Sequence, residues 1–313
     1  MKTIVTLTIN PAIDKSAFVS KVIPDKKLLC SVPRHEPGGG GINVSRAIRL
    51  LGGDSLAIYP AGGTTGQLLQ DLIQKEGLIQ HVIKINGLTR ENLIIFEESS
   101  GQQFRFGMPG PCLNESEWRQ FLDVLSKIKP VPDFIVASGS LPPGVSDDFY
   151  SRVAHIASKL GAKTVVDTSG AALRQALEEG IYLIKPNMRE FKEIVGKEMI
   201  DEQELEEEAR RMVDQGQSEV VVISLGAAGA LAVWKGGRER IQSPTVPIKS
   251  RVGAGDSTVA GIVLALSRGQ LLREALRFGV AAGAAAVMTP GTELCRREDA
   301  ERLYQQTISL KEN

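Results

Sequence analysis

Two glycines and a carboxylate stand directly before a long run of apolar and small residues: Val252-Gly253-Ala254-Gly255-Asp256-Ser257, then residues 258–265. The run reads as a helix, so the glycines fall at its N-terminus. Backbone N–H groups there lack partners and the helix dipole is positive, which makes an anion site. Glycine lets a ligand come close because no Cβ stands in the way. Asp256 is expected to stay ionised in this turn and to accept a proton from a substrate hydroxyl. The chemistry implied is the steadying of a transferring phosphoryl group beside a base. The same residues also fit a plain turn in which Asp256 only caps the helix.

A second glycine cluster, Pro37-Gly38-Gly39-Gly40-Gly41-Ile42-Asn43, feeds another expected helix. Its backbone donors again favour close approach, and the Asn43 amide suits sugar hydroxyls. Lys185-Pro186-Asn187-Met188-Arg189-Glu190 follows the strand Tyr182-Leu183-Ile184. Carboxyl ends of parallel strands line the ligand crevice, so Lys185 and Asn187 could meet nucleotide phosphates. Glu190 fits a hydrated Mg²⁺, which takes few carboxylates and several waters. A turn with ordinary exposed charges is the bland alternative. Ser224 and Gly226 follow their own strand onto the same rim. Phe104 and Phe106 share one strand face, leaving Arg105 to point into a site or into solvent. No Walker A pattern, His-Arg-Asp loop, serine elbow, metalloprotease helix or paired-cysteine site occurs. Phosphoryl transfer must therefore rest on the Gly255-Asp256 helix start.

These residues need strands and helices to place them. Asp133-Phe134-Ile135-Val136-Ala137, Thr164-Val165-Val166-Asp167, Tyr182-Leu183-Ile184 and Val220-Val221-Val222-Ile223 are short apolar runs between amphipathic stretches. That pattern predicts a mostly parallel sheet covered on both faces. Helices are expected at residues 43–51, 67–76, 115–128, 147–160 and 171–178. The third carries a start signal in Asn114 and Glu117. Residues 1–8 read as a first strand. Residues 202–211 read as a solvated helix with Glu206–Arg210 and Glu207–Arg211 pairs. Extended pieces in residues 18–37, and a hairpin of residues 92–96 and 102–106, break the rhythm. They predict a small separate sheet that serves as a lid.

Lys plus Arg and Asp plus Glu both number 37, which excludes a dedicated nucleic-acid binder or a polybasic membrane binder. Cys30, Cys112 and Cys295 are far apart and fit neither a metal cluster nor a disulfide framework, as expected of a reducing, cytoplasmic setting. His35, His81 and His155 lack ligand spacing. No apolar run approaches a membrane span, and no signal peptide is evident.

Taken together, the segments resemble the ribokinase-like sugar kinases of the PfkB family. Gly-Gly-Gly-Gly-Ile-Asn at residues 38–43 and Val-Gly-Ala-Gly-Asp-Ser at 252–257 are similar to its two signatures. The resemblance implies one α/β domain over residues 1–313: a three-layer α/β/α unit with a mostly parallel sheet, and a lid in about 15–37 and 88–108. Thr8-Ile9-Asn10-Pro11-Ala12-Ile13-Asp14, Arg105-Phe106-Gly107-Met108-Pro109-Gly110 and Ser138-Gly139-Ser140-Leu141-Pro142-Pro143-Gly144 resemble the branch that acts on fructose 6-phosphate.

The resemblance also assigns roles. Asp256 would take the proton from the C1 hydroxyl, with the amides of Gly253, Ala254 and Gly255 as anion hole. Asp14, Gly39, Gly40 and Asn43 would hold the sugar. Arg90, Arg105 and Ser140 would bind the 6-phosphate, joined by Lys27 from a neighbouring subunit of a homodimer formed through the lid. Lys185, Asn187, Ser224, Gly226, Gly229 and Ala284 would line the ATP site, and Glu190 would organise Mg²⁺. A K⁺ ion would lie against Ser250, Val252, Ala286, Thr289, Gly291 and Glu293. Thr289 and Glu293 depart from the Asn and Arg of that branch, and the 249–251 approach is shorter than its pattern.

The activity implied is ATP-dependent phosphorylation of fructose 6-phosphate at O1. Tagatose 6-phosphate or fructose 1-phosphate is the alternative acceptor. Relatives acting on those sugars carry lysine at the position of Gly40, so glycine favours the first. A sensor without turnover would not need the Gly255-Asp256 pair. A nicotinamide oxidoreductase would need a Gly-x-Gly-x-x-Gly turn that the first strand lacks.

Overall fold

The computed structural model describes residues 2–198 and 201–309. Met1, where the expected first strand was taken to begin, lies outside them. The strands are β1 (Ile4–Leu7), β2 (Ala12–Val19), β3 (Arg34–Gly38), β4 (Leu56–Ala61), β5 (Ile79–Lys84), β6 (Arg90–Glu97), β7 (Gln103–Phe106), β8 (Phe134–Ser138), β9 (Lys163–Asp167), β10 (Ile181–Ile184), β11 (Ser218–Ser224), β12 (Ala230–Trp234) and β13 (Gly237–Ile241). The helices are α1 (Gly40–Leu50), α2 (Gly63–Lys75), α3 (Glu115–Lys127), α4 (Phe149–Leu160), α5 (Gly170–Leu177), α6 (Met188–Val195), α7 (Glu202–Asp214), α8 (Ala254–Ser267), α9 (Leu272–Val287) and α10 (Arg297–Ser309).

Nine strands form the main sheet in the order β13-β12-β11-β10-β9-β8-β1-β4-β5. All pairs from β11 to β5 are parallel, and the β11–β12 and β12–β13 pairs are antiparallel, so β12 alone is reversed among the described strands of this sheet. The continuous apolar runs are explained by the two cores. Val136, Val165 and Val222 point into one, beneath α1, α8, α9 and α10. Their neighbours Ile135, Val166 and Val221 point into the other, with α3, α4, α5 and α7. A strand buried on both faces has no polar alternation to display. The result is a three-layer α/β/α fold with a mostly parallel sheet.

A second sheet of four strands, β3-β2-β6-β7, lies apart from it. The expected hairpin is β6–β7, paired Leu93↔Phe106 and Ile94↔Arg105. The first strand of this sheet begins at Ala12, before the expected boundary near residue 15, because β2 runs on in parallel pairing with β6 as far as Ala12↔Arg90. Residues 20–33 between β2 and β3 form no strand.

Candidate active site

The α8 N-terminus carries the centre of the site. Gly253 is the N-cap in a left-handed conformation (φ 73°), and a Cβ there would collide with the Leu294 side chain. The first α8 amides have no intrahelical partner. Asp256 makes no capping hydrogen bond, so the plain-turn alternative fails. Its Oδ2 instead accepts from Asn43 Nδ2 at 2.9 Å, across from α1.

Two cavities meet at this turn. One, of about 560 Å³, is lined by Gly253 and Asp256 together with Asp14, Gly39, Gly40, Asn43, Arg90, Arg105, Ser140 and Glu190. The other, of about 660 Å³, is lined by Ala254 and Gly255 together with Lys185, Ser224, Gly226, Gly229 and Ala284. Four consecutive residues thus divide between two cavities, which is the arrangement needed to pass a group from one ligand to another.

Burial lifts the Asp256 carboxyl from 3.8 to about 6; Asp167 and Asp14 add to the rise, while Asn43 and Lys185 oppose it. Sequence chemistry alone suggested an ordinary ionised aspartate. The structure adds that the carboxylate, still the main form at neutral pH, is a stronger base than an ordinary aspartate because burial raises its pKa to about 6. Lys185 is buried and lies 3.4 Å from Asp167 Oδ1. Burial works against its charge, but Asp167, Asp256 and Glu190 together hold the ammonium pKa above its ordinary value.

The small sheet provides the opposite wall. Asp14 Oδ1 accepts from Asn92 Nδ2 at 2.8 Å. Burial raises the Asp14 pKa against the pull of Asn92, Arg105, Arg46 and Arg90. Arg90 is tied to backbone, donating to Asn10 O (2.8 Å) and Met108 O (2.9 Å). Burial holds its pKa below the usual value. Arg105, from β7, reaches the cleft as an exposed cation. Ser140 Oγ accepts from Asn10 Nδ2 at 3.2 Å.

Two expected positions lie outside the two cavities. Lys27, expected to come from a neighbouring subunit, is exposed in the 20–33 segment and lines neither cavity of its own chain. Asn187 bridges to Ser224 and lines an adjoining hollow with Ser224 and Gly226, which also line the larger cavity. Its side chain caps α6, accepting from Glu190 N at 3.0 Å, while Glu190 Oε2 accepts from Asn187 N at 2.9 Å. This capping box reconciles the two sequence readings: it is a turn, and it fixes Glu190 at the cleft rim with one oxygen free.

That oxygen fits Mg²⁺. No group of three or more His, Cys, Asp or Glu suited to a metal occurs among the described residues. An ion held by one or two carboxylates plus phosphates and waters needs no such cage. Of the six residues expected to hold K⁺, Ser250 and Val252 lie on the approach to α8, Ala286 in the last turn of α9, and Thr289, Gly291 and Glu293 in the loop after it. The Ala286 carbonyl already accepts from Thr289 N and Thr289 Oγ1, which makes it the least available ligand. The Glu293 carboxylate is engaged by Arg34 at 2.7 Å. The backbone carbonyl remains the group of Glu293 suited to K⁺.

Residues 3–299 match the pfkB family carbohydrate kinases. The chain belongs to that family. It is 45% identical over 302 residues to the ATP-dependent 6-phosphofructokinase isozyme 2 of Mycobacterium tuberculosis (strain ATCC 25618 / H37Rv), covering 96% of this chain and 89% of that one. It is 31% identical to the 1-phosphofructokinase of Bacillus subtilis (strain 168), over 93% of this chain and 95% of that one. Phosphofructokinase-2 from Escherichia coli superposes with TM-score 0.95 in complex with potassium (41% identity, 98% and 100% covered). Its complex with fructose-6-phosphate gives 0.93 at 40% identity, with the same coverage.

Within this pfkB fold the sequence missed Asp167, Thr168 and Asn92, which line the cleft. Asp167 carried one available signal: it is the last residue of a parallel strand, where functional groups collect. Asn92 carried none, since its partner Asp14 is 78 residues away in sequence.

Proposed function

We propose that the chain is an ATP-dependent 6-phosphofructokinase, converting fructose 6-phosphate to the 1,6-bisphosphate. The observation that carries this is the division of residues 253–256 between the two cavities, with a base near pKa 6 on the sugar side. The 45% identical relative is named as such an enzyme, and a similar structure is named as holding fructose 6-phosphate.

In the proposed mechanism the sugar lies in the smaller cavity, against Asp14, Gly39 and Asn43, with its phosphate facing Arg90, Arg105 and Ser140. Asp256 removes the C1 hydroxyl proton; O1 forms its bond to the γ-phosphorus as the bond to the β,γ-bridging oxygen breaks and ADP leaves. Amides of the α8 start and the Lys185 ammonium stabilise charge on the moving group, the main demand of phosphoryl transfer. Glu190 would hold Mg²⁺, which would supply charge neutralisation for the phosphates, and carbonyls of Ser250, Val252 and the 286–293 stretch would hold K⁺ beside the loop before α8.

Gly40 stands where the resemblance places lysine in kinases of tagatose 6-phosphate or fructose 1-phosphate, which favours fructose 6-phosphate as acceptor. Separately, a Cβ at Gly40 would collide with Ser138 Oγ and stand 2.9 Å from Gly139 N, so the wall is closely packed there. The small sheet leaves Phe18, Leu93 and Phe106 partly exposed, and Leu29 and Val32 are exposed beside it. A second copy of the chain meeting there would cover them and bring in Lys27 from outside. No described helix is long and apolar enough to cross a membrane, and we place the enzyme in the cytoplasm.

ADP release with ATP and Mg²⁺, with and without K⁺, tests the reading on fructose 6-phosphate, tagatose 6-phosphate and fructose 1-phosphate. The highest kcat/KM is expected with the first. Preference for either other sugar, or no sugar-dependent release, sinks it.

A further inference from the structure

Arg46 lies on α1, one turn beyond Asn43, and is 4% exposed. Its Nε donates to Glu76 Oε2 at 2.7 Å, and its Nη2 is 3.6 Å from the buried Glu36 Oε1. Its Nη1 faces three acceptors: Pro37 O at 3.0 Å, Thr292 O at 3.3 Å and Asn43 Oδ1 at 3.4 Å. Neutralising Glu36 needs only a charge. The Nη1 contacts do something else.

The Asn43 amide stands between two groups of opposite hydrogen-bonding character. The Asp256 carboxylate on one side can only accept, and the Arg46 guanidinium on the other can only donate. A single orientation satisfies both: Oδ1 towards Arg46 and Nδ2 towards Asp256. Rotated by half a turn, the amide would set oxygen against carboxylate and N–H against guanidinium. The same cation grips the carbonyl of Pro37, just before the glycine run, and that of Thr292, in the loop after α9. The Asn43 amide of the cleft wall, the entry to the glycine run and the loop after α9 therefore share one anchor.

We infer that Arg46 is a positioning residue for phosphoryl transfer: it fixes the Asn43 amide and, through it, the rotamer and proton affinity of the Asp256 carboxylate. This rests on the kinase reading above. The other charged groups facing Asp256 are Asp167 at the end of β9, Lys185 after β10 and Asp14 on β2. Arg46 also acts on Asp14 through its charge, so the test must separate charge from geometry.

Arg46→Lys keeps the charge beside Glu36 and removes the fork. Arg46→Met with Glu36→Gln removes both charges together, so folding does not depend on a lone buried ion; Glu36→Gln alone is its control. In Arg46→Lys, plateau kcat on fructose 6-phosphate is expected to fall about 10- to 100-fold, the scale of a misplaced reacting group. The acid limb of kcat/KM should move up by about 1–2 pH units, the worth of one hydrogen bond to the charged form. The ¹³C carboxyl titration of Asp256 in the ligand-free protein should move up equally. Affinity for a fluorescent ATP analogue should not change, since Arg46 touches no residue of the larger cavity. The double variant should shift in the same direction.

Folded variants with the parent titration and parent kcat overturn the inference. So does a loss confined to thermal stability, an equal loss of nucleotide affinity, or unfolding of both variants where Glu36→Gln folds. The carboxyl titration requires no turnover, so it decides the role of Arg46 whichever sugar phosphate the enzyme prefers. The substrate panel alone decides the kinase reading.

Discussion

Replacing Asp256 with asparagine should destroy turnover and stabilise the fold. The carboxyl sits at about 6 in the folded protein against 3.8 as its ordinary value. A folded pKa raised in this way means that ionisation opposes folding. The penalty is full above the folded pKa, shrinks as pH falls through the window between 6 and 3.8, and is gone below it. At pH 8 the difference corresponds to about 3 kcal/mol, and at pH 5 to roughly half of that. The larger figure is an upper bound because the carboxyl keeps an edge open to the cleft, so a gain of about 1–3 kcal/mol at pH 8 is expected. The isosteric amide can still turn its oxygen to Asn43 Nδ2, so the 2.9 Å contact survives. Denaturant unfolding of both proteins at pH 8 and pH 5 measures the gain, and steady-state assays follow kcat. Loss of the base should lower kcat by about 10²–10⁴-fold. A variant no more stable than the parent at pH 8, or a gain that does not shrink by pH 5, refutes the buried-base argument. Near-normal kcat refutes the role of Asp256.

Three further substitutions probe the walls. Gly40→Ala should cost about 1–3 kcal/mol by overpacking against Ser138 and Gly139 and raise KM for the sugar phosphate; calorimetry and kinetics read both, and an unchanged KM contradicts the placement. Arg105→Ala removes a charge-assisted contact and should raise KM for the sugar phosphate roughly 10- to 100-fold, with KM for ATP unchanged. Damage to ATP binding instead would contradict its place on the sugar side. Gly229→Ala forces a side chain into a backbone at φ 98° and against Ile241 O and should weaken ATP binding in titration calorimetry while sugar binding persists; retained ATP affinity counts against the larger cavity as the nucleotide site.

The layered sheet was legible because parallel strands with two buried faces leave continuous apolar runs, as in Val220-Val221-Val222-Ile223. The α8 start was legible because glycine and aspartate ahead of an apolar helix have few other uses. The electrostatics were not. Nothing in the sequence near Asp256 shows that Asp167 and Lys185 converge on it from the ends of two other strands. Asn187 was ambiguous for a related reason. Its spacing from Glu190 suits both a helix cap and a phosphate contact, and the capping box accounts for its Oδ1 alone. The start of β2 was missed because its partner strand β6 lies far along the chain.

The charge layout gives the cleft its direction. Four carboxylates, Asp14, Asp167, Glu190 and Asp256, line it together with the arginines Arg90 and Arg105. The cations are unequal. Lys185 is bound to Asp167 at the border with the larger cavity, whereas Arg90 is braced by carbonyls and Arg105 stands open on the far wall. An anionic group is therefore attracted at the Arg105 end, while Asp256, with its pKa raised to about 6, is mostly ionised at neutral pH and can accept the proton of the reacting hydroxyl. A sugar carrying phosphate at one end and a hydroxyl at the other satisfies both ends at once. A doubly phosphorylated product would put a second dianion against Asp256 and Asp167, and that repulsion favours its departure.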